Sequence, residues 1–569
     1  MAGDSFDLLH EELQSALQKK DWIPTPVQDA SINDLIQGFD RLIVAPTGSG
    51  KTMAAILPLL DRCLNEKWEG MSILYITPLR ALNRDVDRRL EELCETLNLK
   101  LGLRHGDTSQ SERTKQVRNP PNIMITTPET FQLMFTGKKI IKLLQSVQAV
   151  IIDEVHEMAG GERGWQLSLG ISRLEKIQNC KIQKIGLSAT IGNPEIVAKW
   201  LSNDAEAIIA DAPRTTELSV NAIQQNPDDE VGSMELAISP RAHATLRGLS
   251  NIISEKKPCL IFVNSRNGAE TVSQRLQSIA PELKIGVHHG SLSTEMRTEM
   301  ENKLRNGEIH GLVCTSSLEL GIDVGSINHV VQIQSPRSVD RMLQRVGRAD
   351  HRLGGIGSGD LLAWETDDLL ESAVIARRAV NGLIEDVEWR NMPLSIAANQ
   401  IVMMVHSHGA LALDNVTEII SNCGQFKEWD REKTIAISKV LADGWVVKLV
   451  ENPEEIPWYK WPFTVWEETI KSTEQKIPEI PKLINNEEIS SELSKLTFSV
   501  APKFANGWIS RSGRTREWST KHLSMIPDKQ SYRVRDAVTR STLGNVDEAF
   551  VLSINDGGEE EDGRLRRFV

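Results

Sequence analysis

Short runs of Val, Ile and Leu, each followed by a stretch of helical periodicity, recur along the first two thirds of this chain. They read RLIVA (41–45), ILYIT (73–77), NIMIT (122–126), AVIID (149–153) and IGLSA (185–189). A second series follows: CLIFV (259–263), KIGVH (284–288), GLVCT (311–315) and HVVQI (329–333). Strands that are apolar throughout are covered on both faces, and a helix between successive strands is the crossover of a parallel sheet. Two series predict two α/β domains, over 1–210 and 211–390. Residues 211–240, with Pro213, Pro227 and Pro240 among acidic and Asn residues, read as a join and a surface excursion.

The pattern changes near 391. Helical periodicity marks Ile396–Val405, Val416–Ser421 after an Asp414 cap, and Arg431–Leu441, before the strand-like WVVKLV (445–450). Three helices and a strand predict a winged helix over 391–475. Residues 451–494 carry ten acidic and four basic residues with five prolines, and read as irregular surface. From 503 to 536 the balance reverses to eight basic and three acidic. That basic stretch interleaves Trp508 and Trp518 with Arg511, Arg514, Arg516 and Lys521, either as a stacking platform for a single nucleic-acid strand or with the tryptophans in a core.

Composition narrows the class. At 569 residues the chain has room for about four domains. The 65 basic against 78 acidic residues give a net charge of −13, which excludes a histone-like binder but not a local basic groove. Six cysteines lie far apart without a CxxC pair, pointing to a reduced, cytoplasmic protein rather than a zinc or disulfide framework. The polar Met1–Asp21 segment is unlike a signal peptide, and no apolar run approaches the ~20 residues of a membrane span.

The sharpest chemical signal is Ala45-Pro46-Thr47-Gly48-Ser49-Gly50-Lys51-Thr52, set between the run RLIVA and the helical TMAAILPLL. Gly48 and Gly50 let backbone N–H groups turn inward around phosphate oxygens, and the helix N-terminus adds its positive end. Lys51 would neutralise the β- and γ-phosphates, and the Thr52 hydroxyl would bind Mg²⁺. AVIID then ends in Asp153-Glu154-Val155-His156, an acidic pair at the carboxyl end of a parallel strand, where sheet ligands bind. Asp153 suits the Mg²⁺ shell, and Glu154 suits orienting and deprotonating the attacking water.

Further segments fall in a fixed order. Pro24-Thr25-Pro26-Val27-Gln28 precedes the phosphate loop; Thr77-Pro78-Leu79-Arg80-Ala81-Leu82, Thr126-Thr127-Pro128-Glu129 and Ser188-Ala189-Thr190 follow it. The second series contributes Phe262-Val263-Asn264-Ser265-Arg266, His288-His289-Gly290, the run Thr315–Asp323 (TSSLELGID) and Gln344-Arg345-Val346-Gly347-Arg348. Taken together they resemble the motif series of superfamily 2 helicases over about 20–352. MAGGERGWQLSLGISRLE (158–175), LSATIGNPEIVAKWL (187–201) and QRVGRADHR (344–352) are similar to the large helicase-related (Lhr) family, relatives of the Ski2-like helicases. LSMIPDKQSYRVRDAVTRSTLGNVDEAFV (523–551) resembles the start of that family's further, β-containing domain, placed here at 476–569. Two positions depart from the pattern: Asp350 stands where many relatives have Gly, and His351 where many have a second arginine.

That resemblance implies two RecA-like lobes with ATP and Mg²⁺ between them, then a winged helix that braces the lobes. Thr47, Gly48, Ser49, Gly50, Lys51 and Thr52 would hold ATP, Gln28 would read the adenine edge, and Asp323 would complete the site. Arg348 would act as an arginine finger, assisted by Arg345 or Arg352. Thr77, Arg80, Thr127, Asn264, Arg266 and Thr315 would contact a nucleic-acid backbone, which positions a strand without reading its sequence. The expectation is a 3′-to-5′ helicase acting on tailed or forked DNA duplexes or RNA:DNA hybrids in repair or fork maintenance. The rivals are an ATPase that anneals or remodels without processive unwinding, and a Ski2-type RNA helicase. The chain is expected to be an archaeal-type member cut short at its C-terminus.

Overall fold

Residues 41–209 supply the strands of one seven-stranded parallel sheet: β1 (Arg41–Val44), β2 (Ile73–Ile76), β3 (Leu101–Arg104), β4 (Ile123–Thr126), β5 (Ala149–Ile152), β6 (Gln183–Ser188) and β7 (Glu206–Ile209). Their spatial order is β3-β4-β2-β5-β6-β1-β7. This computed structural model describes residues 5–450 apart from 47, 79, 138, 179, 211–215, 320–324 and 350–356, and beyond them 507–523, 531–535 and 542–547. Every residue of β2, β4, β5 and β6 is buried, as the apolar or small character of β2, β4 and β5 requires, whereas β6 also buries Gln183 and Lys184. The sheet edges, β3 and β7, escape sequence detection because neither is fully buried.

The second sheet is also parallel, with order β10-β11-β9-β12-β13-β8. It contains β8 (Thr216–Asn221), β9 (Cys259–Phe262), β10 (Ile285–His288), β11 (Gly311–Cys314), β12 (His329–Ile333) and β13 (Gly357–Leu362). The expected surface excursion therefore supplies an edge strand, β8, whose polar TELSVN hides it from an apolar-run search. Glycine-rich GSGDLL hides β13 in the same way.

The third unit has helices Leu394–His408, Leu413–Ser421 and Arg431–Asp443 and an antiparallel sheet β14-β16-β15. Its strands are β14 (Ala410–Ala412), β15 (Val447–Val450) and β16 (Trp508–Arg511). Asp414 is not a cap: it lies inside the first turn, where its carboxylate accepts from Arg431 Nε at 2.7 Å. The division expected at 475/476 cuts this sheet, because β16 pairs with both β14 and β15. An antiparallel hairpin, β17 (Ser531–Arg535) with β18 (Thr542–Asp547), lies further along the chain.

The third unit shares one continuous core with lobe 1. Val150, Ile152, Trp165, Leu167 and Ile171 join Ile401, Val402, Val405, Ile419, Ile420 and Phe426 in it. Buried Arg173 of lobe 1 donates to Gln400 Oε1 at 3.2 Å and to Ser407 Oγ at 3.1 Å across the seam. The expected brace between lobes is thus a unit fused to lobe 1. Among the described residues no helix is long and apolar enough to cross a membrane.

Candidate nucleotide site and the edges of the two sheets

Parallel strands put all their carboxyl ends on one edge. β1 and β5 flank β6, so the loops leaving them start about 10 Å apart. The phosphate loop leaves β1, Asp153-Glu154 leaves β5, and Ser188 ends β6 between them. β2 and β4 lie beyond β5, and Thr77 and Thr127 follow those two strands. One sheet edge therefore divides into a nucleotide half and a half where the backbone-contacting threonines were expected.

Gly48 and Gly50 have φ values of 83° and 94°, the left-handed region that a side chain resists. A Cβ on Gly50 would also lie 2.7 Å from Gln28 Nε2. Gln28 accepts from Thr25 N at 3.0 Å and donates to Gly50 O at 3.3 Å. It therefore buttresses the phosphate loop directly. Lys51 Nζ donates to the carbonyls of Ala45 at 2.5 Å and Pro46 at 3.0 Å, filling the loop with its own charge. Burial lowers the Lys51 pKa against the opposing pull of Glu154 and Asp153, and the charge of Arg348 lowers it further.

Asp153 is buried, and its Oδ2 accepts from the Tyr75 hydroxyl at 2.7 Å. Burial and the neighbouring Glu154 push its carboxyl up to about 6, while Tyr75 and Lys51 pull the other way. Thr52, in the first turn of the helix Lys51–Asn65, acts on the same phenol, lowering its pKa against the burial that raises it. A buried carboxylate at a strained pKa beside a hydroxyl is an oxygen donor set that fits Mg²⁺, which takes few protein ligands and completes its shell with phosphate and water. Among the described residues no three His, Cys, Asp or Glu side chains cluster as a metal cage.

Glu154 sits at φ 49°, a left-handed conformation that costs energy for a side chain with a Cβ. His156 Nδ1 lies 3.1 Å from Ser188 Oγ and accepts from Ala189 N at 3.3 Å. Its proton therefore rests on Nε2, which faces Glu154 Oε2 at 3.6 Å and Glu157 Oε1 at 3.7 Å. Burial holds His156 below the ordinary imidazole pKa, in its neutral form.

From lobe 2, buried Arg348 donates through Nε (3.2 Å) and Nη2 (2.9 Å) to Glu319 O. Its charge is felt at Lys51 across the cleft. Arg345 requires a correction. It donates to Gln332 Oε1, pairs with Glu319 Oε2 at 3.3 Å and lies over the Phe262 ring at 5.2 Å. Paired with the Glu319 carboxylate and bonded to Gln332, it is a strut of the lobe 2 core rather than a second finger.

The nucleic-acid positions divide. Asn264 and Arg266 are exposed just after β9, and Thr315 is half-buried just after the adjacent β11. Thr77 is fully buried, and the Thr127 hydroxyl caps the helix Pro128–Met134 by accepting from Thr130 N at 3.4 Å. Neither hydroxyl is presented to a ligand here. The backbone of Arg80 opens the helix Arg80–Thr96, while Thr47, Asp323 and Arg352 lie outside the described residues. Trp508 also requires a correction: it is 2 % exposed, packed in β16 against Ala410, Ala412 and Val450. Arg511 of the same strand donates to Val405 O and His406 O, capping a helix end.

Sequence reasoning missed three residues: Tyr75, Glu319 and Arg163. Arg163 donates to Glu129 Oε1 at 2.7 Å and Pro78 O at 2.9 Å, tying together two motif loops. Its place within GGERGW, just after the acidic pair, was the available signal.

The DEAD/DEAH box helicase family matches residues 25–197, and the helicase conserved C-terminal domain matches 244–354. The chain is 33 % identical over 472 residues to the ATP-dependent helicase Lhr-Core of Methanothermobacter thermautotrophicus, covering 78 % of this chain and 54 % of that protein. The structure of Mycobacterium smegmatis helicase Lhr bound to ssDNA and AMP-PNP superposes with a TM-score of 0.74 at 28 % identity, over 98 % of this chain and 67 % of that one. This chain belongs to the Lhr family of superfamily 2 helicases. The Escherichia coli Lhr helicase/uracil glycosylase is another relative, 34 % identical over 72 % of this chain and 31 % of its own length. This Lhr chain spans about half the length of the Lhr-Core relatives it matches.

Proposed function

We propose that this chain is an ATP-dependent, Mg²⁺-requiring helicase that moves 3′ to 5′ on single-stranded nucleic acid and displaces a paired DNA or RNA strand. The observation that carries the reading is the phosphate loop, 48–52, leaving β1 on the same sheet edge as the Asp153-Glu154 pair leaving β5, with Lys51 Nζ held inside the loop by the carbonyls of Ala45 and Pro46; Arg348 belongs to lobe 2. An arginine that enters the phosphoryl site from the other lobe makes hydrolysis depend on cleft closure, and in related chemistry is worth about 10³–10⁵ in rate. Bound Mg²⁺ would neutralise the charge on the β- and γ-phosphates. Thr52 and Asp153 would hold it, Glu154 would orient water and take its proton, and neutral His156 would link that carboxylate to Ser188.

The strand would cross the carboxyl edges of β9 and β11 at Asn264, Arg266 and Thr315, with Arg80 on the lobe 1 side. Thr77 and Thr127 would then act mainly by shaping their loops. We place this activity in the cytoplasm, acting on tailed or forked DNA duplexes or RNA:DNA hybrids in repair or fork maintenance. The test is strand displacement with ATP and Mg²⁺ on matched DNA duplexes and RNA:DNA hybrids carrying 3′ or 5′ tails. Displacement from 3′ tails alone supports the reading; strand-stimulated ATP turnover without displacement from any tail replaces it with a remodelling ATPase.

A further inference from the structure

Residues 385–389 run from lobe 2 to the third unit and grip both lobes on the way. At the lobe 2 end, the Glu385 carboxylate accepts from Val339 N at 2.9 and 3.0 Å and from Asp340 N at 3.4 Å. These are the first amides of the helix Val339–Val346, whose own N-cap residue, Ser338, makes no side-chain cap bond. First-turn amides lack intrahelical acceptors and carry the positive end of the helix, so a carboxylate there fixes the helix in place. The same helix carries Arg345 in its last turn, with Arg348 just beyond it. Eight residues at ~1.5 Å rise put the clamp about 12 Å from the arginines.

At the lobe 1 end, Val387 N donates to Asn193 Oδ1 at 2.9 Å, and Asn193 Nδ2 donates to Val387 O at 3.4 Å. Asn193 is the N-cap residue of the helix Pro194–Leu201, yet its side chain makes no cap bond there. Both helices thus leave their own cap positions unused at the strap. A Cβ on Gly192 would lie 2.6 Å from Glu385 O and 2.8 Å from Asp386 Oδ1, so no side chain fits. Gly160 gives similar room, with its Cβ position 3.2 Å from Val387 Cγ1. The loop holding Gly192 and Asn193 begins at Ser188-Ala189, the residues bonded to His156.

We propose that Glu385 is a positioning residue for ATP hydrolysis: the strap holds the arginine-bearing helix of lobe 2 against the loop that follows Ser188-Ala189-Thr190, presenting Arg348 to the nucleotide. The proposal rests on Arg348 acting from lobe 2 at the phosphates. Its physical basis is reach. Glu385 and Val387 are two residues apart, at most about 7 Å of extended chain. The helix N-terminus and the lobe 1 loop therefore cannot separate far without breaking one of the two clamps.

The test is steady-state ATP hydrolysis by the full chain with saturating single-stranded DNA, with thermal unfolding in parallel. Glu385→Ala is expected to lower kcat about 10- to 100-fold, because ~1 Å of misplacement costs on the order of 10²-fold. The KM for ATP stays within about threefold, since ground-state binding is not touched. Glu385→Gln, which keeps an accepting oxygen, recovers most of the loss. Asn193→Ala lowers kcat from the other end, and the double variant falls no further. An unchanged kcat in Glu385→Ala, or a lower Tm with full activity per folded molecule, overturns the strap; if Arg348→Ala is still crippled, the arginine reading survives. An unchanged kcat in Arg348→Ala overturns that reading and the strap with it.

Discussion

The Tyr75 hydroxyl donates to Asp153 Oδ2 at 2.7 Å from the neighbouring strand of the same sheet. Thr52, at the start of the phosphate-loop helix, acts on the same phenol and lowers its pKa. A hydrogen bond to the ionised form of an acid favours that form. Tyr75 therefore works against the burial that pushes Asp153 up to about 6, and keeps the carboxylate available to a cation near neutral pH.

Removing the phenol moves the acid limb of activity. Tyr75→Phe deletes the donor, so the Asp153 pKa rises and more of it is protonated at a given pH. One hydrogen bond of about 1 kcal/mol corresponds to roughly one pH unit. The acid limb of kcat/KM for ATP, which reports the free enzyme, is expected to shift upward by about that much. A pH profile with unshifted limbs would show that another group sets it.

Asp153→Asn separates stability from function. The carboxyl titrates near 3.8 when unfolded and about 6 when folded, so the native state holds its proton longer. Stability is then lost as pH rises from about 4 to about 6, and the full penalty, up to about 3 kcal/mol, stands above that. Without nucleotide or Mg²⁺, the variant is expected to melt higher than the parent at pH 8 and equally at pH 4. Its ATP turnover should be abolished. Equal Tm values at pH 8 would contradict the buried-charge account.

The two parallel sheets and the nucleotide half of the cleft were legible because their signals are local. Apolar runs mark doubly covered strands, and a phosphate loop needs its glycines in sequence order. Edge strands β3, β7 and β8 were not legible, since solvent on one side removes the pressure for unbroken apolar sequence. Trp508 and Arg345 failed for a different reason. Charge and aromatic content name what a side chain can contact, whereas strand pairing at β16 and the Glu319 carboxylate decide what it does contact. Glu385 had no signal, because its partners lie 45 and 46 residues away on backbone amides.

Arg348 and Arg345, three residues apart, are expected to fail differently. Arg348→Ala should reduce kcat by about 10³-fold or more with little loss of ATP affinity, as removal of a transition-state charge does. Arg345→Ala strands the buried Glu319 carboxylate, a loss of about 3–5 kcal/mol when a buried pair is broken. Thermal unfolding and turnover of both variants check this; a stable but inactive Arg345→Ala would restore it to the catalytic set.

Trp508 supplies the plainest contrast between sequence and structure. Were it a stacking platform, Trp508→Ala would leave the fold intact and weaken single-strand affinity by ~1–3 kcal/mol per base. In β16 it is buried against Ala410, Ala412 and Val450, in the strand that pairs with both β14 and β15. Truncation there opens a cavity in a small sheet, at a cost of about 3–5 kcal/mol. The expected result is a markedly lower Tm, with single-strand affinity of the still-folded protein unchanged at low temperature. Weakened binding at full thermal stability would put the indole back on the nucleic-acid path and require β16 to open in the bound state.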